Sequence, residues 1–178
     1  MTLCLCARFK DGVLCATDSS ISMGNNRLTS PDVKGWRHDG GLVMYSGTLY
    51  LAQRVKSKSC IGEPDLYAAI MEVGEEDQAE DDDDFDLLQV TKQGHILYYE
   101  SSGAVLRATD YAAIGHASSL GLALLEMIYQ PNRSEQWLRN HIENIMRIVE
   151  KYDATVFRPT RYHVVQTASA GQPDRTSS

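Results

Sequence analysis

The sequence predicts an α+β domain: a four-layer αββα sandwich in which two mainly antiparallel sheets pack on each other and are flanked by helices. Three observations lead there. Apolar, β-prone runs joined by tight turns open the chain; strands and paired helical segments then alternate; and no repeat or Pro/Gly linker divides the 178 residues. With 43% hydrophobic residues, a chain of this length buries one full core without disulfides or metals. One domain is expected over 2–167, followed by a disordered polar tail, 168–178.

Thr2 to Phe9 and Val13 to Thr17 form the first hairpin, because Lys10-Asp11-Gly12 sets an Asp-Gly pair between two apolar runs. Those runs are nearly continuous rather than alternating, as in strands covered on both faces. A polar loop, Ser19 to Ser30, leads to Pro31-Asp32-Val33-Lys34-Gly35-Trp36. A turn at Asp39-Gly40-Gly41 then connects to the strand Leu42-Val43-Met44-Tyr45, which ends at Ser46-Gly47. Helical periodicity runs from Thr48 to about Lys58 and from Pro64 to about Gly74, broken at Gly62-Glu63-Pro64.

Phe85 to Thr91 and His95 to Glu100 flank Lys92-Gln93-Gly94 as another hairpin. Asp110 to Gly115 reads as a strand entering a helix, Ser118 to Gln130, with Leu120, Leu124, Met127 and Ile128 on its apolar face. Pro131-Asn132-Arg133 breaks that helix. Ser134 is placed to cap a longer one, whose Leu138, Ile142, Ile145, Met146 and Val149 recur at three- and four-residue intervals. A last strand spans Tyr162 to Thr167.

Composition narrows the function. The first residues lack the basic start and long apolar run of a secretory signal, and no stretch has the length of a membrane span, so a cytoplasmic protein without a membrane partner is expected. Cys4, Cys6, Cys15 and Cys60 lie in or near apolar segments without zinc or disulfide spacing and read as reduced core thiols. The net charge of −7 is local: without the nine acidic residues between Glu75 and Asp86 it becomes +2. That run is too charged to bury and reads as a solvated loop. The absence of a compensating basic patch argues against nucleic-acid binding.

The chemistry-bearing residues lie close to the chain start. Removal of Met1 would leave Thr2 with a free α-amine beside its hydroxyl, and an amine of ordinary pKa about 7.7–8.0 serves as a general base near neutrality without a histidine. Asp18 follows Thr2 by sixteen residues and Lys34 follows Asp18 by sixteen, each at a strand end near the opening hairpin. They suit a buried cation and its counter-ion, and a cation beside the amine favours the amine's neutral form. His38, His95, His141 and His163 show no pairing that suggests a metal site, and neither metal nor cofactor is expected.

Thr2, the segment from Lys10 to Ser19, and Ser30-Pro31-Asp32-Val33-Lys34 resemble the proteasome β-subunit family and its bacterial HslV relatives. Tyr45-Ser46-Gly47-Thr48 before Leu51-Ala52-Gln53-Arg54, and Ala113-Ile114-Gly115, extend the resemblance to about Val165. It implies the N-terminal-nucleophile (Ntn) hydrolase fold, a threonine-type peptidase acting on polypeptides, and a homo-oligomeric ring. It also implies Gly47 as oxyanion donor, Tyr45 at the first specificity pocket, and Asp153 in the shell around the amine. The acidic run would then offer a docking surface to an ATP-dependent unfoldase. His116 stands where the family usually has serine, and Val156 where proteasomes commonly have another. A catalytically silent ring or scaffold subunit, and an amidase acting on a small molecule, are the competing readings, since fold does not dictate substrate.

Overall fold

The computed structural model describes residues 2–23, 26–29, 34–60, 65–76, 85–100 and 103–167, with 21–23 and 26–28 described by backbone alone. The elements run β1 (Cys4–Phe9), β2 (Gly12–Thr17), β3 (Ser20–Met23), β4 (Asn26–Thr29), β5 (Gly35–His38), β6 (Gly41–Gly47), α1 (Leu49–Cys60), α2 (Leu66–Glu76), β7 (Phe85–Val90), β8 (Ile96–Glu100), β9 (Val105–Ala108), β10 (Tyr111–Ile114), α3 (Ser118–Ile128), α4 (Glu135–Tyr152) and β11 (Arg161–Gln166). All strand pairs are antiparallel. They build a sheet β10-β1-β2-β11, a sheet β5-β6-β7-β8-β9, and a β3-β4 ribbon.

The pleat sorts the side chains into three cores. Leu3, just before β1, and Leu5, Ala7 and Phe9 on it face one way and meet Leu125 of α3 and Leu138, Ile142, Ile145, Met146 and Val149 of α4. Cys4, Cys6, Val13 and Cys15 face the other way, against Leu42, Met44, Leu88, Val90 and Ile96 of the second sheet. The far face of that sheet, with Trp36, Val43, Phe85 and Leu87, packs on Leu51 and Val55 of α1 and Leu66, Ile70 and Val73 of α2. Three apolar interfaces between four layers define the αββα sandwich, and the first sheet is covered on both faces as its near-continuous apolar runs require.

The Ser134 side chain accepts the backbone N–H of Trp137 at 3.2 Å, which caps α4 as its sequence position predicts. Asp65 does the same for α2 by accepting from Tyr67 N at 2.9 Å. The break at Gly62-Glu63-Pro64 lies outside the described residues.

Several expectations need correction. The segment Ser19 to Ser30 is not a loop throughout, since β3 pairs with β4; the alternation Ser20-Ile21-Ser22-Met23 is the strand signal there, at the shortest length that carries one. The short exposed strand β9 was likewise hidden, because as a sheet edge it buries little. On α3, Leu120, Leu124 and Ile128 pack against the core as expected, but the fully buried positions are Gly121 and Leu125, and Met127 is 81% exposed. Cys4, Cys6 and Cys15 are buried free thiols but Cys60 is exposed at the end of α1. The acidic run begins inside α2 with Glu75 and Glu76 and ends in β7 with Asp86, which accepts from Tyr98 Oη at 2.8 Å. Its central part, 77–84, and the tail, 168–178, lie outside the described residues. No helix among the described residues is long and apolar enough to cross a membrane.

Candidate active site

The ends of β1, β2 and β5 bring Thr2, Asp18 and Lys34 together. Thr2 sits two residues before β1, Asp18 follows the last residue of β2, and Lys34 sits one residue before β5. Lys34 Nζ donates to Thr2 Oγ1 at 2.8 Å and to Asp18 Oδ1 at 2.9 Å. All three residues are buried: Thr2 is 6% exposed, Asp18 0% and Lys34 3%. Burying an ammonium is costly unless it is paired, so the contact with Asp18 is what permits a lysine here at all.

Backbone contacts hold each member. Asp18 Oδ1 also accepts the amide of Leu3 at 3.0 Å, and Leu3 O accepts the amide of Asp18 at 3.1 Å, which ties the counter-ion to the residue beside Thr2. The second carboxylate oxygen accepts Ser20 N at 3.1 Å and Ser20 Oγ at 2.5 Å. Lys34 N donates to Thr17 Oγ1 at 3.2 Å, and its carbonyl accepts from Tyr45 N at 3.2 Å. With main chain pinned at both ends and four donors on the carboxylate, the ammonium has little freedom to leave Thr2.

Gly115 supports Thr2 from behind. At φ +103° it adopts a conformation that side-chain-bearing residues rarely take, and a Cβ there would stand 1.9 Å from Thr2 O. It would also lie 3.1 Å from Ser46 Oγ, which brings the end of β6 to the same place. Gly47, the next residue, is exposed with φ +92° and so presents a kinked, side-chain-free backbone near Thr2. We expect Gly115→Ala to displace Thr2 and to lower the melting temperature, by several degrees for a cost of about 1–3 kcal/mol. Calorimetry and the backbone amide shift of Leu3 check it; a variant that keeps both would show that the close approach does not constrain Thr2.

Tyr45 is joined to the site by its backbone more than by its ring. Its N–H bonds Lys34 and its carbonyl accepts Cys4 Sγ at 3.3 Å, while the half-buried side chain packs against the α1–α2 core. Desolvation first, then the fields of Cys4 and Asp18, raise the Tyr45 phenol above its ordinary value, which keeps it neutral. Burial likewise pushes the Cys4 thiol far up, outweighing the pull of Lys34. Cys4 is therefore a core thiol beside the site and no rival nucleophile.

Asp153 ends α4 and lies farther out. Its Oδ1 accepts Thr155 N at 2.8 Å and Thr155 Oγ1 at 2.5 Å, and its Oδ2 is 3.9 Å from His116 Nε2. Desolvation raises its carboxyl, but the Thr155 hydrogen bonds and the field of His116 outweigh that and bring it below its ordinary value. The His116 side chain is 61% exposed. Val156, by contrast, is buried in the core beneath α4, 1% exposed, and has no polar part in the site.

Thr17, Ser20 and Thr155 are the residues that sequence spacing does not reveal. Ser20 follows Asp18 by two, the offset of a short Asp-side-chain turn, and that is the signal available for it. Among the described residues no cluster of three or more His, Cys, Asp or Glu is arranged to hold a metal ion.

No protein-family model matches the sequence, and no curated protein matches it. Solved structures do. An Anbu (ancestral beta-subunit) from Yersinia bercovieri superposes with a TM-score of 0.74 at 17% identity, over 91% of this chain and 80% of that one. Eukaryotic HslV from Trypanosoma brucei gives 0.68 at 17% identity, over 92% and 99% of the two chains. A Thiobacillus denitrificans protein named BPH gives 0.75 at 12%, over 95% and 100%. At such identities the likeness establishes architecture: the chain has the HslV-like Ntn-hydrolase fold, and what it does must be argued from Thr2 and its neighbours.

Proposed function

We propose that this chain, built on the fold of HslV and Anbu, is a threonine-type peptidase whose nucleophile is Thr2 once its α-amine is free. The observation that carries the reading is one buried ammonium, Lys34 Nζ, shared between Thr2 Oγ1 and Asp18 Oδ1 at 2.8 and 2.9 Å. A threonine hydroxyl held in a structural role needs no ammonium directed at it. An ammonium donating to Oγ stabilises the negative charge that develops there as the proton leaves, and such charge-assisted bonds are the stronger kind.

In this reading the Thr2 amine accepts the Oγ proton, Oγ attacks the substrate carbonyl, and the Gly47 N–H stabilises the oxyanion that forms. The protonated amine then gives its proton to the leaving amine, and water hydrolyses the resulting ester. Asp18 orients Lys34, Asp153 supports the outer shell, and Tyr45, whose ring packs on the α1–α2 core, borders the pocket for the residue preceding the scissile bond only through its exposed part. Intact mass tests the premise: a protein that retains Met1 has no free Thr2 amine and would be a silent subunit of the same fold.

The reading includes a homo-oligomeric ring in the cytoplasm that encloses the sites, since exposed peptidase sites would attack folded neighbours. Sedimentation at micromolar concentration should give a single species many times the monomer mass, and a monomer would remove the ring. It also includes an ATP-dependent unfoldase docked on the acidic run. Replacing Asp81, Asp82, Asp83 and Asp84 by Ser should leave small-peptide cleavage unchanged and weaken unfoldase-stimulated degradation, an effect that added salt mimics by screening beyond about 10 Å at 0.1 M. Equal stimulation of variant and parent would reduce the run to solvation.

A further inference from the structure

The Asp18 carboxylate has a fourth donor that the Thr2–Lys34 contact does not require. Ser20 Oγ lies 2.5 Å from Asp18 Oδ2 and 3.0 Å from the carbonyl of Thr155, and Ser20 is 5% exposed. Thr155 in turn donates both its amide and its hydroxyl to Asp153 Oδ1, and Asp153 Oδ2 faces His116. The contacts therefore form one polar chain: Thr2, Lys34, Asp18, Ser20, Thr155, Asp153, His116. Ser20 is its middle link, where the β2–β3 segment meets the end of α4.

We propose that Ser20 is a positioning residue whose hydroxyl couples the Lys34–Asp18 pair at Thr2 to the Asp153–His116 pair at the surface. The inference rests on Thr2 being the nucleophile for its catalytic consequence, though not for the coupling itself. A serine hydroxyl has one proton and faces two acceptors here, so it donates to either the Asp18 carboxylate or the Thr155 carbonyl, or is shared between them. At 2.5 Å the carboxylate has the stronger claim, as hydrogen bonds to charged acceptors do. Donation to Oδ2 fixes the rotation of the carboxylate and so presents Oδ1 to Lys34 and to Leu3 N. The same proton, shared with Thr155 O at 3.0 Å, ties the segment after α4 to that carboxylate. Without the hydroxyl, Asp18 keeps three donors and the fold survives, but carboxylate and α4 terminus become free to move independently.

The test pairs Ser20→Ala with Ser20→Cys, which fills the site with a slightly larger side chain while replacing the hydroxyl by a weak donor. Both should lower kcat by about tenfold with KM unchanged, because a loosened ammonium costs transition-state stabilisation rather than binding. A Cys variant with parental kcat would show that Ser20 only fills space and would overturn the proposal. The second readout needs no activity: the Asp153 carboxyl titration followed by NMR. It should move up toward the ordinary carboxylate value in Ser20→Ala, because the Thr155 hydrogen bonds that lower it are no longer braced. An unmoved Asp153 titration overturns the coupling whatever the kinetics. If the parent shows no turnover, the peptidase reading fails while the titration still decides whether the coupling exists.

Discussion

Thr2→Ala should abolish hydrolysis of unstructured peptides while leaving the fold intact. Among the described residues, the hydroxyl is the one group that the Lys34 ammonium addresses besides its counter-ion. Removing a nucleophile lowers turnover by about a thousand-fold or more, which corresponds to at least ~4 kcal/mol of transition-state stabilisation. The fold should tolerate the change because Ala keeps the main chain. Thr2 O stays seated against Gly115, Leu3 N still reaches Asp18, and Lys34 retains Asp18 at 2.9 Å. Thr2→Ser separates the hydroxyl from the methyl and should recover part of the rate. Unchanged turnover in Thr2→Ala, with the melting temperature of the parent, would remove the peptidase reading and leave a silent subunit of the same architecture.

What was legible in the sequence and what was not divide along physical lines. The layer order followed from periodicity, because α4 repeats its apolar residues at helical spacing and all five of those singled out are buried. The opening hairpin followed from Asp11-Gly12, and β1 pairs with β2 in register around that turn. Two short elements escape the sequence reading: the β3–β4 ribbon, whose strands have four residues each, and β9, whose side chains are largely exposed at the open edge of its sheet. Met127 was placed on the apolar face of α3 by type, although Gly121 is what lets that helix approach Leu3 and Leu5. Leu120, Leu124 and Ile128 do pack against that core, but a glycine contributes nothing to hydrophobic periodicity, so the pattern could not single out Gly121 as the point of closest approach. At the site, Thr2, Asp18 and Lys34 were visible through spacing, and the structure brings them together. Ser20, Thr155 and the close packing of Gly115 on Thr2 depend on which loops meet in space, which spacing along the chain does not encode.

Lys34→Ala is expected to inactivate the protein more severely than His116→Ala. Lys34 Nζ touches Thr2 Oγ1 directly and is 3% exposed, whereas His116 is mostly solvent-facing and stands 3.9 Å from the carboxylate of Asp153. Losing the ammonium removes the charge-assisted bond to Oγ on which the proposed mechanism relies, so kcat should fall by about a hundred-fold or more. It also strands a buried carboxylate, and breaking such a pair generally costs about 3–5 kcal/mol. Three other donors on Asp18, from Leu3 N, Ser20 N and Ser20 Oγ, moderate that cost. The double variant Asp18→Asn, Lys34→Met separates the two effects, since it restores stability by removing both charges but cannot restore catalysis. Lys34→Arg keeps the charge, yet its planar guanidinium does not fit a point contact to Thr2 and Asp18 together, so activity should stay low. For His116→Ala a loss of about tenfold or less is expected, because its effect reaches Thr2 only through Asp153, Thr155, Ser20 and Asp18. Steady-state kinetics on one fluorogenic peptide, with melting temperatures for every variant, decides the order. A greater loss in His116→Ala than in Lys34→Ala would move the chemistry from the buried ammonium to the exposed imidazole, and the role of Thr2 would have to be rebuilt around it.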